Sequence, residues 1–196
     1  MLHIVDDEEI LRDSLSWLAS SRGIAARVYD GGASFLQALG ETVQFDSGGD
    51  CLLLDVRMPD LSGVAVFELL ERRALTRQLP VIFLTGHGDV PMAVDTLKRG
   101  AFDFFEKPVN DNALMDRVQE ALAASREASL TAAIHARLAT LSAREREVLA
   151  LILDGKMNKI IADQLSISMR TVEVHRAHIF DKMNVKTAVE LARLLK

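Results

Sequence analysis

Five side chains that could support phosphoryl chemistry follow short apolar runs at distant places in the sequence. Asp6 and Asp7 follow LHIV, Asp55 follows CLLL, Thr85 follows VIFL and Lys107 follows FDFFE. Carboxylates that are brought together repel one another and take up protons unless a cation neutralises them, and their oxygen atoms suit Mg²⁺ or Mn²⁺. Beside such an ion a carboxylate can attack phosphorus and form an aspartyl phosphate. Asp55 is the central candidate because it ends the middle run.

These runs are the candidate strands of an α/β fold, because helical patterns separate them. The alternation predicts a doubly wound, five-stranded parallel sheet with helices on both faces. Ligands gather at the carboxyl ends of such strands, so we expect the five side chains to meet at one edge of the sheet. The candidate strands are LHIV, AARVY, CLLLD, PVIFLT and AFDFF, and the helical patterns cover Glu9–Ser20, Ala33–Leu39, Val64–Arg73, Pro91–Arg99 and a region that opens at Asp111.

A long helix and a group of four short helices are predicted after the sheet. The spacing of apolar residues predicts one helix from Asp111 to about His135, and its Ala-rich second half is typical of a semi-rigid connector. Three of the four short helices have a polar residue where the helix start is capped: Ser142 with Glu145 in a capping-box pattern, Asn158 and Ser168. The fourth helix is predicted at Thr187–Leu195.

Charge is divided unevenly along the chain. Residues 1–138 carry 13 Lys and Arg against 21 Asp and Glu, whereas residues 139–196 carry 10 against 7. An acidic domain joined to a mildly basic one indicates two separate tasks. We predict a first domain at 1–122, a helical linker at 123–138 and a small all-α domain at 139–196.

Composition excludes several classes of protein. With 49% hydrophobic and 26% charged residues, the chain resembles a globular protein and not a disordered one. No apolar run approaches the roughly 20 residues that cross a bilayer, and no basic leader follows Met1, so we expect a cytoplasmic protein without a membrane partner. Cys51 lies in an apolar run and is expected to be a buried thiol.

Four motifs resemble the receiver domain of two-component response regulators, over residues 2–122. They are VDDEE at 5–9, LLLDVRMPDLSG at 52–63, LTGHGDVPMAV at 84–94 and FDFFEKP at 102–108, in this order at the strand ends. The resemblance implies a flavodoxin-like fold in which Asp55 accepts a phosphoryl group from a sensor histidine kinase. One departure is the segment GETVQFDSGGD before the third strand, which looks longer than is usual for the family.

The resemblance also implies a role for each residue at the strand ends. Asp7, Asp55 and the backbone carbonyl of Arg57 would hold Mg²⁺, and Asp6 would contribute through water. Thr85 and Lys107 would bind the phosphoryl oxygens. Phe104 would turn inward as a switch when Thr85 moves, although an ordinary core role is the alternative. A cis bond between Lys107 and Pro108 is also implied, and His87 is expected to be a loop residue near the site.

The segment from Ala139 to the carboxyl terminus resembles the helix-turn-helix of the LuxR class, and with the receiver it places the chain in the NarL/FixJ group. In this motif the second helix of the pair enters the major groove of double-stranded DNA. Glu173 stands where many relatives carry Lys, which puts the target sequence in doubt. The candidates for base contact are Arg170, Glu173 and Val174, and those for phosphate contact are Asn158, Lys159, Thr171, Arg176 and Lys182, each with a solvated helix face as the alternative.

The predicted function is regulation of transcription at promoters, with activation and contact to RNA polymerase implied by the resemblance alone. A net charge of about +3 lets one carboxyl-terminal domain neutralise only a few phosphates, so two copies are expected. We predict a homodimer formed on phosphorylation through residues 90–105, with a second self-contact along 187–195.

Two other classes of function are weighed against this one. A phosphatase of the dehalogenase type also uses an aspartate after a parallel strand, but it needs a carboxylate two positions later, where this chain has Arg57. We therefore expect no enzyme, only a phosphoacceptor with self-phosphotransfer and autodephosphorylation. The third class is an interaction module whose last domain binds protein or RNA.

Overall fold

The computed structural model describes residues 1–41, 43–86 and 90–195, with the side chain of Val90 left aside, and these form two compact units. The units are Met1–Ser129 and Leu130–Lys196. None of the described helices is both long enough and apolar enough to cross a bilayer.

The first unit is the predicted doubly wound sheet. Its five strands are all parallel and lie in the order β2-β1-β3-β4-β5. This confirms the predicted fold class, and the bounds of most predicted elements shift by one or two residues. The elements are β1 Leu2–Val5, α1 Glu9–Ser21, β2 Ala26–Tyr29, α2 Gly32–Leu39, β3 Cys51–Asp55, α3 Gly63–Arg72, β4 Val81–Thr85, α4 Val90–Lys98 and β5 Asp103–Glu106.

The two central strands are buried on both faces, which explains why β3 and β4 are apolar throughout. Leu52 and Leu54 pack with Phe67 in one core, while Leu53 packs with Leu114 in the core on the opposite face. This alternation follows from the two-residue period of a strand. The sheet is therefore held rigidly from both sides.

Gly63 allows α3 to begin directly against the end of β3. A Cβ atom at this position would lie 2.2 Å from the backbone oxygen of Asp55. The N–H of Gly63 instead donates to the backbone oxygen of Val56 at 3.0 Å. Glycine is therefore required for a close approach that fixes the backbone around Asp55.

Helix α5 is a single helix, Asp111–Ala139, which runs four residues beyond the predicted end at His135. The core of the second unit explains the extension, because Ile134 and Leu138 pack against it. The remaining helices are α6 Ala143–Leu153, α7 Asn158–Leu165, α8 Met169–Met183 and α9 Ala188–Leu194.

Two of the three caps predicted in the second unit are confirmed. The Ser142 and Glu145 capping box is present, and Ser168 accepts the backbone N–H of Thr171. Thr187, for which no cap was predicted, accepts the backbone N–H of Glu190. The prediction that Asn158 caps α7 is wrong. Met157 is already extended, with φ −71° and ψ 152°, and occupies the N-cap position without a side-chain bond, so Asn158 is the first helical residue.

Candidate functional site

The carboxyl ends of β1, β3 and β4 lie at one edge of the sheet because the strands are parallel and closely in register. Val5 is opposite Leu54, and Asp55 is opposite Leu84. Asp6, Asp55 and Thr85 are consequently brought to the same edge, and all three are buried. Lys107 follows β5, and its backbone N–H donates to the oxygen of Thr85 at 2.7 Å.

Lys107 bridges two of the predicted carboxylates. Its Nζ lies 2.7 Å from Oδ2 of Asp6 and 2.7 Å from Oδ1 of Asp55. Asp6 and Asp55 are only 1% and 5% exposed. The structure therefore joins residues that are 101 and 52 positions apart in the sequence into one buried charge cluster.

Backbone donors complete the hydrogen bonding of both carboxylates. The N–H of Arg57 donates to Oδ2 of Asp55 at 2.7 Å, and the N–H of Glu8 donates to Oδ1 of Asp6 at 2.9 Å. Each of the four carboxylate oxygens thus accepts a hydrogen bond, as buried charges require. These contacts fix the orientation of the Asp55 side chain.

Two negative charges and one positive charge leave this cluster with an excess of negative charge. Burial raises the pKa of Asp55, although the hydrogen bond and the charge of Lys107 act in the opposite direction. Burial would lower the pKa of Lys107, but its hydrogen bonds to Asp55 and Asp6 raise it. The raised pKa of Lys107 reflects the two negative charges beside it, which would also attract an additional cation.

The oxygen donors at this edge fit Mg²⁺. Across the described ranges, no three Asp, Glu, His or Cys side chains are grouped closely enough to hold an ion by themselves. Mg²⁺ commonly keeps several waters and uses one or two carboxylates, which Asp6, Asp7 and Asp55 could supply. The side chain of Asp7 is exposed and lines a cleft of about 300 Å³ with Met58 and Asp60.

The other predicted residues of this edge have diverse surroundings. Phe104 is half-buried, and the centroid of its ring lies 6.4 Å from that of Phe83. The bond between Lys107 and Pro108 is cis, as the resemblance implies. His87 lies outside the described residues. The roles assigned to these residues stay predictions.

A separate network of polar side chains was not found from the sequence. The His3 ring lies 3.0 Å from the hydroxyl of Tyr29 and 3.1 Å from Oδ1 of Asp50, at a cavity of about 420 Å³. Burial would raise the pKa of Asp50, but hydrogen bonds from His3 and from the N–H of Asp46 lower it. These groups form hydrogen bonds with one another, so we assign the network a structural role. No sequence pattern could have revealed it, because the partners are far apart in the chain.

In the second unit, the outward face of α8 carries the three candidates for base contact. Val172, Ile179 and Met183 are buried in the core of the second unit. Arg170, Glu173 and Val174 are exposed near the start of the helix. The structure thus leaves this part of α8 accessible to a partner.

The candidates for phosphate contact differ in their surroundings. Lys159 is exposed, Asn158 is half-buried, and the Thr171 hydroxyl lies 2.8 Å from that of Ser168. The guanidinium of Arg176 lies over the ring of Phe180, 5.3 Å from its centroid.

Lys182 forms an ion pair within its own unit. Its Nζ lies 2.7 Å from Oε2 of Glu145 and 3.2 Å from the backbone oxygen of Thr140. The hydrogen bond from Lys182, together with the one from the backbone of Ser142, lowers the pKa of Glu145 to about 2. The capping-box pattern indicated Glu145 as a cap, but nothing in the sequence pointed to its pairing with α8.

Comparison with known proteins identifies both units. Residues 2–119 match the family described as "Response regulator receiver domain", and residues 139–195 match "Bacterial regulatory proteins, luxR family". The chain is 52% identical to the C4-dicarboxylate transport transcriptional regulatory protein DctR of Rhodobacter capsulatus, over 98% of each chain. It is 43% identical to the transcriptional regulatory protein FixJ of Rhizobium meliloti, over 98% of this chain and 93% of FixJ. The solved structure of response regulator StyR is similar, with a TM-score of 0.69, 36% identity and coverage of 99% and 96%.

The buried carboxylate of Glu145 makes the second unit sensitive to acid. Its pKa of about 2 lies below the ordinary value of 4.5. The resulting stabilisation is complete above the ordinary pKa and is lost as the pH falls toward the folded value. Between about pH 5 and about pH 2.5, this group should remove about 2 kcal/mol from the free energy of unfolding.

Urea unfolding of the full chain, followed by NMR signals of α6 and α8, measures this loss. Glu145→Gln should destabilise the second unit at pH 5. Its free energy of unfolding should also fall less than that of the wild type when the pH is lowered, because the titrating carboxylate is absent. Glu147→Gln is the matched control, since Glu147 is half exposed on the same helix and pairs with Arg144. An equal acid loss in Glu145→Gln and the wild type would contradict the assignment.

Proposed function

Because the chain belongs to the NarL/FixJ group of two-component response regulators, we propose that phosphorylation of Asp55 by a sensor histidine kinase controls its binding to promoter DNA. The observation that carries this proposal is the bridge from Lys107 to Asp55 and Asp6 at the carboxyl edge of the sheet. We assign the receiver to 1–122, the linker to 123–138 and the DNA-binding domain to 139–196, in keeping with the two family matches.

The chemistry of Asp55 is that of a nucleophile. A carboxylate oxygen of Asp55 forms a bond to phosphorus while the bond from phosphorus to a histidine nitrogen of the kinase breaks. The Arg57 N–H and Lys107 Nζ orient this carboxylate, and Lys107 is placed to bind a phosphoryl oxygen. Self-phosphotransfer from small donors and autodephosphorylation are the only reactions proposed for the chain itself.

A divalent ion would support this chemistry. Mg²⁺ or Mn²⁺ at Asp7, Asp55 and the carbonyl of Arg57, with Asp6 contributing through water, would supply the positive charge that the cluster lacks. Thr85 lies on the strand next to Asp55 and would hold a phosphoryl oxygen.

Phosphorylation would replace the single negative charge of the Asp55 carboxylate with roughly −2 on the phosphoryl group, in a cluster that already has excess negative charge. Lys107 would then be shared between Asp6 and the phosphoryl group, and Thr85 would move toward it. Phe104 lies opposite Phe83 on the adjacent strand and is half-buried, so a change of its rotamer can alter the outer surface of β5. We propose that this change favours a dimer.

Exposed apolar side chains support the proposed dimer surfaces. On α4, Val94 and Leu97 are 44% and 42% exposed, within the region 90–105 predicted for the receiver contact. On α9, Val189 is 62% exposed, within the second predicted self-contact at 187–195. Contiguous exposed apolar side chains commonly mark interaction surfaces, and Val94 and Leu97 are neighbours at positions i and i+3 of α4. A dimer would double the DNA contacts of one mildly basic domain.

An apolar surface on α1 is suited to receive the kinase. Ile10 and Trp17 are 83% and 74% exposed. They line a groove that also includes Lys107, Pro108 and Val109, so the groove borders the phosphoacceptor edge. A kinase docked here could bring its phosphohistidine to Asp55.

The relatives' names support the target of the second unit. DctR and FixJ are both named as transcriptional regulatory proteins. We propose that α8 enters the major groove of promoter DNA, that Arg170, Glu173 and Val174 contact bases, and that the bound dimer activates RNA polymerase. The phosphate contacts would come from Asn158, Lys159, Thr171, Arg176 and Lys182, the last while it keeps its bond to Glu145.

Asp55→Asn should abolish formation of the aspartyl phosphate, because an amide is not a nucleophile toward phosphorus. After incubation with acetyl phosphate and Mg²⁺, mass spectrometry should detect one labile phosphoryl adduct on the wild type and none on Asp55→Asn. Asp13→Asn, an exposed position on α1, should keep the adduct. An adduct on Asp55→Asn at the wild-type level would refute the proposed acceptor.

Trp17→Ala should slow transfer from a histidine kinase by at least about tenfold, because buried aromatic anchors carry much of an interface's binding energy. A kinase selected for transfer to the wild type provides the donor, and the rate of radiolabel transfer is measured. Labelling by acetyl phosphate should be unchanged. Val28→Ala, which also removes an exposed apolar side chain, is the control. Unchanged transfer to Trp17→Ala would exclude this docking surface.

Arg170→Ala should weaken binding to a selected DNA site by about tenfold or more, the usual cost of one lost base contact. Sites are selected from random DNA with phosphorylated wild type, and affinities are measured by gel shift. Arg146→Ala, at an exposed arginine of α6, is the matched control and should change affinity little. If both variants weaken binding equally, then Arg170 contributes only its positive charge, and the proposed base contact is contradicted.

A further inference from the structure

One polar residue interrupts the apolar face that α5 presents to the first unit. The buried residues of this helix are Leu114, Met115, Val118, Ala121 and Ser125. Ser125 is fully buried and is the last of them. Arg126 and Glu127 are exposed, so Ser125 marks the point at which α5 leaves the receiver core.

The Ser125 hydroxyl makes two hydrogen bonds to backbone groups. Its Oγ accepts from the N–H of Asp50 at 2.8 Å and donates to the carbonyl oxygen of Gln78 at 2.5 Å. Asp50 directly precedes β3, and Gln78 lies three residues before β4. One side chain thus links the amino ends of two neighbouring strands to α5.

These two strands carry the phosphoacceptor site at their other ends. β3 ends at Asp55, and β4 ends at Thr85. Both strands are buried along their whole length and are paired from Leu52 and Val81 onward. Because strands are stiff along their axis, a displacement of either strand at the site would also reach the groups bonded at its amino end.

The loop before β3 is packed closely against α5 at this point. A Cβ atom at Gly49 would lie 2.1 Å from the backbone oxygen of Leu122 and 3.1 Å from the backbone nitrogen of Arg126. Gly49 has a φ of +90°, which favours glycine. The contact is thus backbone against backbone, with no side chain of Gly49 between the loop and the helix.

We infer that Ser125 is a positioning residue that couples the state of Asp55 and Thr85 to the linker part of α5. The inference rests on the proposed function. Hydrogen bonds are directional, so the two bonds of Ser125 fix the rotation and the axial position of the last receiver turn of the helix. Apolar contacts alone, such as those of Ala121, constrain these less.

The test compares how much phosphorylation increases DNA affinity in the full-length wild type and in two variants. Ser125→Ala should form the Asp55 adduct from acetyl phosphate at the wild-type rate. The gain is the ratio of DNA affinity with phosphorylation to that without it. For a selected DNA site this gain should fall at least about fivefold, since hydrogen bonds of this kind each contribute a moderate free energy. A purely structural role would lower stability and leave the gain unchanged.

Ser129→Ala is the matched control, because the Ser129 hydroxyl lies one turn later on α5 and is buried without a hydrogen-bond partner among the described residues. Its gain should equal that of the wild type. An unchanged gain in Ser125→Ala would overturn the inference. Absence of any gain in the wild type would instead reject the proposed function, so the two failures are distinguishable.

Should Ser125→Ala fail to fold, Ser125→Cys takes its place, because a thiol keeps the size of the side chain and forms weaker hydrogen bonds. The same criteria apply: a reduced gain with normal adduct formation supports the coupling, and a wild-type gain overturns it.

Discussion

Burying two carboxylates beside one ammonium is costly unless every charge is hydrogen-bonded, and the ion bridge of Lys107 with Asp6 and Asp55 meets this condition. Three strand ends must be held in fixed positions for the bridge to form. The two apolar cores on opposite faces of the sheet provide this rigidity, and the glycine at position 63 lets the backbone close around Asp55. The fold of the first unit therefore holds together the charged side chains of Asp6, Asp55 and Lys107, which would otherwise move apart and be solvated by water.

The same bridge makes the site responsive. Two negative charges share one positive charge, so the cluster is stabilised by any further cation and disturbed by any further anion. A covalent phosphoryl group would raise the negative charge at Asp55 from −1 to roughly −2. Lys107 is already shared with Asp6, so the neighbouring groups would have to rearrange. A cluster with balanced charge would be more stable, but adding a phosphoryl group would disturb its structure less.

The sequence predicted those features that arise from local patterns. Apolar runs with polar residues at their ends predicted the sheet and the meeting of Asp6, Asp55 and Lys107 at one of its edges. The pattern at Ser142 predicted a helix cap. It failed where the outcome depends on partners far along the chain: Lys182 pairs with Glu145, and Ser125 bonds to Asp50 and Gln78. The Asn158 cap failed for a local reason, because Met157 is already extended at the helix start.

Helix α5 depends on both cores for its continuity. Its last residue buried in the first unit is Ser125, and its next core contact is Ile134, in the second unit. The residues between them, a little over two turns at 3.6 residues per turn, belong to neither core and rely on the helix propensity of an Ala-rich sequence. Short helices are marginal in water without packing, so this segment is stabilised by continuation from its two anchored ends. Loosening either end would therefore fray this segment of the helix.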